Sequence, residues 1–304
     1  MSEGPVSGVF KRVSLIAMAA FLVACQPSAE TPQEQDYTWV HEVSDLPADP
    51  DVRYGQLDNG LRYAIRQNDT PPNVASVRLV FNVGSLAEAE DQRGLAHFIE
   101  HMAFNGSTEV PEGEMVPLLE RHGLQFGPDT NAFTGYETVG YQLDIPEVDE
   151  ETVDTALFLM RQTASELLMD SEAIDRERGV ILSEERFRNT PIRRWNTALW
   201  RFRLPDSLVP DRDAIGTVDV IETAQRERFV DYYENYYVPQ RGMVVVVGDI
   251  DPDTIEAKIR DEFADWQSIE DPRGDPDVGA PVVGGLFPRS GNLHHLHGRC
   301  RAPS

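Results

Sequence analysis

The strongest constraint on this chain is one short motif, His97-Phe98-Ile99-Glu100-His101. Residues four apart on an α-helix lie on the same face, one turn apart. His97 and His101 would therefore project together, with Glu100 on the flank of that face. Two imidazoles so placed can bind one metal ion while the carboxylate reaches a water molecule on the metal. Because the chain has only seven histidines, their pairing here predicts a metal-binding helix.

A second acidic element is needed, because catalytic zinc usually has three protein ligands and one open position. Glu177 and Glu184 lie in a second predicted helix, over residues 171–187. Seven residues are almost two helical turns, so both glutamates share one face. One of them can bind the metal while the other holds a histidine through its free ring N–H. A solvated helix face has the same spacing, so spacing alone leaves the third ligand open.

The N-terminal segment is typical of a bacterial lipoprotein signal. A basic pair precedes an apolar run over 13–23, which is short for a transmembrane helix. The run leads into Leu22-Val23-Ala24-Cys25, which resembles the lipobox of bacterial lipoproteins. We therefore expect a signal peptide over 1–24, lipidation of Cys25 and anchorage in the cell envelope. The non-aspartate Gln26 favours the outer membrane, facing the periplasm. A secretory signal with an incidental cysteine is the alternative.

Charge and cysteine content exclude other kinds of site. The formal net charge is −25, which argues against nucleic-acid binding through a basic patch. We interpret this charge as one that keeps the protein soluble. The chain has two cysteines, Cys25 and Cys300. A cysteine-rich zinc site needs several thiolates, so it is excluded.

Changes in composition predict the domain boundaries. A flexible tether, rich in Pro, Gln and Glu, is expected over 25–51, and one domain over 52–285. Residues 286–304 are expected to be an aberrant or disordered tail, of the kind that a frameshift or truncation produces. Three histidines in this tail offer a metal-binding tract as the alternative.

Apolar periodicity predicts an α+β domain. Met243–Val247 is expected to be a central strand buried on both faces. The other elements do not alternate as βαβ units, which favours a mixed, largely antiparallel sheet with helices packed on one face. Strands are predicted over 61–66, 74–83 and 139–145, and helices over 94–104, 114–122, 151–168, 171–187, 225–237 and 253–266.

The motif extends well beyond five residues, as Gly94-Leu-Ala-His-Phe-Ile-Glu-His-Met-Ala-Phe-Asn-Gly106. In this form it resembles the signature of the pitrilysin/insulinase family of zinc peptidases. The resemblance covers about residues 52–266. It implies the metallohydrolase fold shared with LuxS and the mitochondrial processing peptidase, and one Zn²⁺ per chain.

The resemblance also implies roles for individual residues. It assigns the metal ligands as His97, His101 and Glu184. Glu100 would be the general base, and Glu177 would support the site. Glu185 is the alternative to Glu184, although its side chain is rotated by about 100°. The segment Asn131-Ala132-Phe133-Thr134 resembles the part of the family that lies along the substrate, which would bind as an added strand.

We therefore expect a zinc metalloendopeptidase that acts on peptides or unfolded polypeptides and does not bind nucleic acid. Family members are built from paired homologous domains, so a second domain or subunit is an expected partner. An inactive homologue that serves as a binding or scaffold subunit is the main alternative. A lipoprotein that binds a partner through its acidic surface is a third hypothesis.

Overall fold

A six-stranded mixed sheet is the framework of the computed structural model, which describes residues 39–279. The strands are β1 (Val52–Gln56), β2 (Arg62–Gln67), β3 (Ala75–Phe81), β4 (Thr130–Thr134), β5 (Val139–Ile145) and β6 (Gly242–Gly248). They lie in the order β1-β2-β6-β3-β5-β4. In this sheet β2 and β6 are parallel, and the other neighbouring pairs are antiparallel. The predicted α+β class with a mixed, largely antiparallel sheet is confirmed.

Helices follow the strands along the chain, and several begin at an aspartate. Asp149, Asp170 and Asp251 each accept a backbone N–H with their side chains and cap α4, α5 and α9. Over residues 39–279 the α-helices are α1 (Val40–Val43), α2 (Leu95–Met102), α3 (Met115–Arg121), α4 (Glu150–Ser165), α5 (Ser171–Arg188), α6 (Pro191–Arg203), α7 (Val218–Thr223), α8 (Arg226–Tyr236) and α9 (Pro252–Phe263).

The core lies on one face of the sheet, between the strands and the helices. Val77, Leu79 and Phe81 alternate along β3 and are fully buried. In β6 the residues alternate in the same way, so that Val244 is buried whereas Val245 is only half-buried. The prediction that β6 is buried on both faces is therefore wrong. Within the described residues, helices cover one face of this central strand.

The N-terminal and C-terminal segments that the sequence singles out lie largely outside the described residues. These are the predicted signal peptide over 1–24, Cys25, most of the tether and the tail over 286–304. Residues 39–51, the last part of that tether, include α1, and Trp39 packs edge-on against Tyr54 of β1 with ring centroids 4.8 Å apart. None of the helices between residues 39 and 279 is long and apolar enough to cross a membrane.

Candidate metal centre

The motif lies on α2, a short helix packed between the sheet and two other helices. It contacts β4 and β5 on one side and α5 and α8 on the other. Gly94 precedes the helix with a φ of +103°, a left-handed conformation that favours glycine. A Cβ atom on Gly94 would lie 2.9 Å from the Cα atom of Gly216, so a side chain is also excluded by contact. The start of α2 is thus fixed by close backbone packing.

A buried carboxylate also holds the start of α2. Oε2 of Glu88 accepts the N–H of Gly94, and Oε1 accepts the N–H of Ala96, both at 2.9 Å. These donors have no partner within the helix, because the first turn lacks preceding carbonyls. Burial raises the pKa of Glu88 to about 8, although the two backbone donors and the charge of Arg212 oppose that change. Sequence reasoning missed this residue, because a cap this far upstream has no local signature.

Three predicted ligands converge on one face of this helix. Nε2 of His97 lies 3.6 Å from Oε2 of Glu184, and Nε2 of His101 lies 3.5 Å from the same oxygen. One ligand atom from each residue lies within 4.8 Å of the others. Ligands bound about 2 Å from a tetrahedral zinc ion lie roughly 3.3–3.5 Å apart. The two histidine–glutamate distances match that geometry.

Neighbouring side chains orient these groups. Nδ1 of His101 lies 2.8 Å from Oε1 of Glu177, which favours the tautomer that leaves Nε2 free to bind a metal. Asn105 donates to the other oxygen of Glu177 at 3.3 Å. Nη2 of Arg188 lies 2.5 Å from Oε1 of Glu184, so Oε2 of Glu184 faces the histidines. The donor set of two imidazoles and one carboxylate suits zinc and leaves one position for water.

The two histidines differ in their affinity for protons. Burial, followed by the charges of His101 and Arg188, lowers the pKa of His97 to about 3, so this imidazole is neutral. Burial also lowers the pKa of His101, but the hydrogen bond to Glu177 and the surrounding carboxylates outweigh it and raise the pKa overall. Nδ1 of His97 is buried and makes no hydrogen bond within residues 39–279.

Glu100 lies on the same helix, facing the sheet edge. Its side chain is buried, and the hydroxyl of Thr134 donates to its Oε2 at 2.6 Å. Burial raises the pKa of Glu100, while the hydrogen bond from Thr134 opposes the rise. The family resemblance implies a substrate-binding role for Thr134, and the sequence gives no sign of this contact. A buried carboxylate with a raised pKa is a better proton acceptor than an ordinary glutamate, which suits it to accept and return a proton.

The segment Asn131–Thr134 lies in β4, the last strand of the sheet. One edge of β4 pairs with β5, and the other edge has no strand neighbour in the described part of the chain, although Thr130 forms an isolated bridge with Phe126. Asn131 and Phe133 are exposed there. Because Thr134 contacts Glu100, this free edge ends beside the candidate metal centre.

The alternative third ligand, Glu185, lies apart from the cluster. Its carboxylate is buried and pairs with Arg193 at 3.2 Å. A rotation of about 100° per residue separates it from Glu184 on α5. The described geometry therefore brings Glu184, and not Glu185, to the histidines.

Comparisons with known proteins match two regions of the chain. The family model described as "Insulinase (Peptidase family M16)" matches residues 63–195. The model described as "Peptidase M16 inactive domain" matches residues 223–289. The described parts of the two regions form a single sheet, because β6 lies between β2 and β3.

Named relatives are much longer than this chain. The probable zinc protease PqqL of Haemophilus influenzae is 34% identical over 241 residues, which are 79% of this chain and 25% of that protein. The chain thus spans about a quarter of the length of the PqqL proteins it matches.

Solved structures share the fold. The first half of the periplasmic protease PqqL from Escherichia coli superposes with a TM-score of 0.70 and 32% identity, over 77% of this chain and 50% of that one. Pitrilysin superposes with a TM-score of 0.64 and 22% identity, over 77% of this chain and 25% of that one. At 22% identity, the superposition on pitrilysin shows a shared fold.

Proposed function

Because the chain belongs to the insulinase family of peptidases, peptidase family M16, we propose that it carries the catalytic zinc site of a metalloendopeptidase. The observation that carries the proposal is the approach of two imidazole nitrogens to a single carboxylate oxygen, at 3.6 and 3.5 Å. His97, His101 and Glu184 would hold the ion, and Glu177 would fix the ring of His101.

The proposed reaction is hydrolysis of a peptide bond. Zinc, when bound, would polarise the scissile carbonyl and lower the pKa of a water molecule. Glu100 removes a proton from that water as the C–O bond forms. The same carboxyl group then gives the proton to the amine nitrogen as the C–N bond breaks. Thr134 holds Oε2 of Glu100 and so orients the carboxylate for both transfers.

Substrate binding is proposed at the free edge of β4. An extended peptide added to this edge would form backbone hydrogen bonds, which suit peptides of varied sequence. Asn131, Ala132 and Phe133 would contact it, and Thr134 would lie where the strand reaches Glu100. A second homologous domain or a subunit would complete the binding chamber, since the relatives extend well beyond the region matched here.

We place the protein in the bacterial cell envelope. The Escherichia coli relative is described as a periplasmic protease, and the N-terminal sequence resembles a lipoprotein signal ending at Cys25. A lipid anchor at Cys25 would hold the domain at the outer membrane, facing the periplasm.

The test compares zinc content and cleavage of an unfolded polypeptide in three proteins. The unaltered chain should bind one zinc ion and cleave the substrate in a chelator-sensitive manner. Glu100→Gln should keep the zinc and lose about 10²–10⁴-fold in rate, the usual contribution of a general base. His97→Ala should lose both.

A binding or scaffold role is the alternative. It predicts bound zinc with no turnover by the unaltered chain, even when the partner domain is supplied. Equal turnover by the unaltered chain and by Glu100→Gln would remove Glu100 from the mechanism.

A further inference from the structure

A positively charged surface lies next to the candidate metal centre, in a chain that is otherwise strongly acidic. Residues 186–203 contain six arginines and no aspartate or glutamate, whereas the whole chain has a net charge of −25. The same segment exposes large apolar side chains, with exposed fractions of 85% for Phe187, 63% for Ile192, 59% for Trp195, 51% for Phe202 and 41% for Trp200. We call residues 186–203 the arginine–aromatic surface.

Helix α6 forms most of this surface, and its apolar stripe faces solvent. Thr190 caps the helix by accepting the N–H of Arg193, and Pro191 occupies its first turn. Ile192, Trp195 and Phe202 lie on one face by helical spacing. None of the residues of α6 is buried. An exposed apolar stripe of this size marks a binding surface rather than a core.

Half of the arginines lack a carboxylate partner within residues 39–279. Arg188 pairs with Glu184, Arg193 with Glu185 and Asp213, and Arg201 with Asp211. The guanidinium of Arg194 donates to the backbone and side chain of Asn189. Arg186 and Arg203 form no ion pair with the described residues. The surface therefore retains positive charge that a bound anion can neutralise.

A cavity lies between the arginine–aromatic surface and two neighbours of the candidate metal centre, Thr134 and Arg188. It has a volume of about 410 Å³ and lies between the end of β4 and α6. Thr134, which donates to Glu100, lies on one wall, and Ile192 and Trp200 lie on the other. Ile192 belongs both to this wall and to the exposed stripe. A polypeptide leaving the metal centre through the cavity would therefore pass onto α6.

We propose that the arginine–aromatic surface selects acidic segments of polypeptide substrates that also carry apolar or aromatic side chains. The inference rests on the proposed peptidase function and specifies its substrate class. Arginine forms bidentate, charge-assisted hydrogen bonds with carboxylates, and its guanidinium stacks on aromatic rings. The tryptophans add apolar contact area. A polypeptide is favoured over a lipid surface because the cavity is also lined by Thr134, whose hydroxyl donates to Glu100, the residue beside which a peptide bond would be cleaved.

The test measures peptide binding, so it does not depend on turnover. Fluorescence anisotropy of labelled peptides is recorded with the full chain carrying Glu100→Gln. One peptide contains several Asp, Glu and Phe residues, and its partner has Asn and Gln in place of the acids. The variant Arg194→Glu/Arg203→Glu is called the exosite variant, because it alters the arginine–aromatic surface outside the metal centre. It is compared with Arg78→Glu/Arg121→Glu, which makes the same charge change elsewhere on the surface. Thermal unfolding confirms that both variants are folded.

The acidic peptide should bind at least tenfold more tightly than its neutral partner, and added salt should reduce the difference. The exosite variant should lose that preference, and the charge-matched control should keep it. Equal affinity for the two peptides would overturn the proposal. It would also be overturned if the exosite variant kept its peptide affinity but bound anionic vesicles, or a second copy of the chain, more weakly than the unaltered surface does. Zinc-dependent cleavage of the neutral peptide by the unaltered chain would support the peptidase function even if the selection of acidic peptides failed.

Discussion

Nη2 of Arg188 lies 2.5 Å from Oε1 of Glu184, one turn earlier on α5. This pair holds one oxygen of the carboxylate, while the other oxygen faces the two histidines. An ion pair between residues four apart on a helix is weak by itself. Here it fixes the direction of a side chain on which the proposed metal centre depends.

The third ligand can be tested with two adjacent carboxylates. Glu184→Gln should lower zinc affinity by more than about 100-fold, which exceeds the roughly 10–100-fold effect of residues that only support ligands. Glu185→Gln is the matched control and should keep zinc affinity, because its carboxylate contacts Arg193 instead. Competition with a fluorescent chelator measures both. The opposite ranking would assign the metal to Glu185.

The supporting role of Glu177 gives a second prediction. Glu177→Ala should lower zinc affinity by about 10–100-fold, because the ring of His101 loses the acceptor that orients it. Glu172→Ala, in the first turn of the same helix, should leave zinc affinity unchanged. Similar losses in both variants would show that the effect comes from the helix as a whole.

Zinc affinity should depend on pH through His101. The pKa of His101 is raised, so below about pH 6.5, the ordinary histidine value, the metal must displace its proton. Affinity should therefore rise about tenfold per pH unit in that range. His97, with a pKa of about 3, adds no proton there. Calorimetry in buffers of different ionisation enthalpy should detect about one proton released per zinc at pH 6, and no release would contradict the assignment.

The buried carboxyl of Glu88 should make folding stability depend on pH. Its pKa in the folded chain is about 8, compared with 4.5 for an ordinary glutamate. Between these values the folded state binds a proton that the unfolded state has lost. The contribution of Glu88 to the free energy of unfolding is therefore present below pH 4.5 and is lost as the pH rises towards 8.

Urea unfolding of the metal-free chain between pH 5 and pH 8 measures this effect. Glu88→Gln should flatten the decline in stability across that range. Glu90→Gln, which alters a nearby exposed carboxylate, should leave the decline as it is. Identical slopes in the unaltered chain and in Glu88→Gln would contradict the prediction.

Features that depend on local periodicity could be predicted from the sequence. The bounds of β5 coincide with the predicted strand over 139–145, and α5 begins at the predicted residue. The approach of His97 and His101 follows from helical geometry alone. Whether Glu177 or Glu184 faces the metal did not follow from spacing, because both lie on the same helical face.

Features that depend on how loops and helices pack could not be predicted. The role of Glu88 requires that a loop fold back onto the start of α2, which no local pattern indicates. The half-buried face of β6 was predicted to be covered, because an apolar run does not reveal how many helices pack on it. Helix α6 was also missed, although Thr190 and Pro191 form a recognisable start signal.

X-ray diffraction at the zinc absorption edge, from crystals of the zinc-loaded protein, tests the metal centre most directly. We expect one anomalous peak about 2 Å from Nε2 of His97, Nε2 of His101 and Oε2 of Glu184, with one coordination position left for solvent. A peak bound elsewhere, or no peak at saturating zinc with these three side chains ordered, would contradict the proposed peptidase centre.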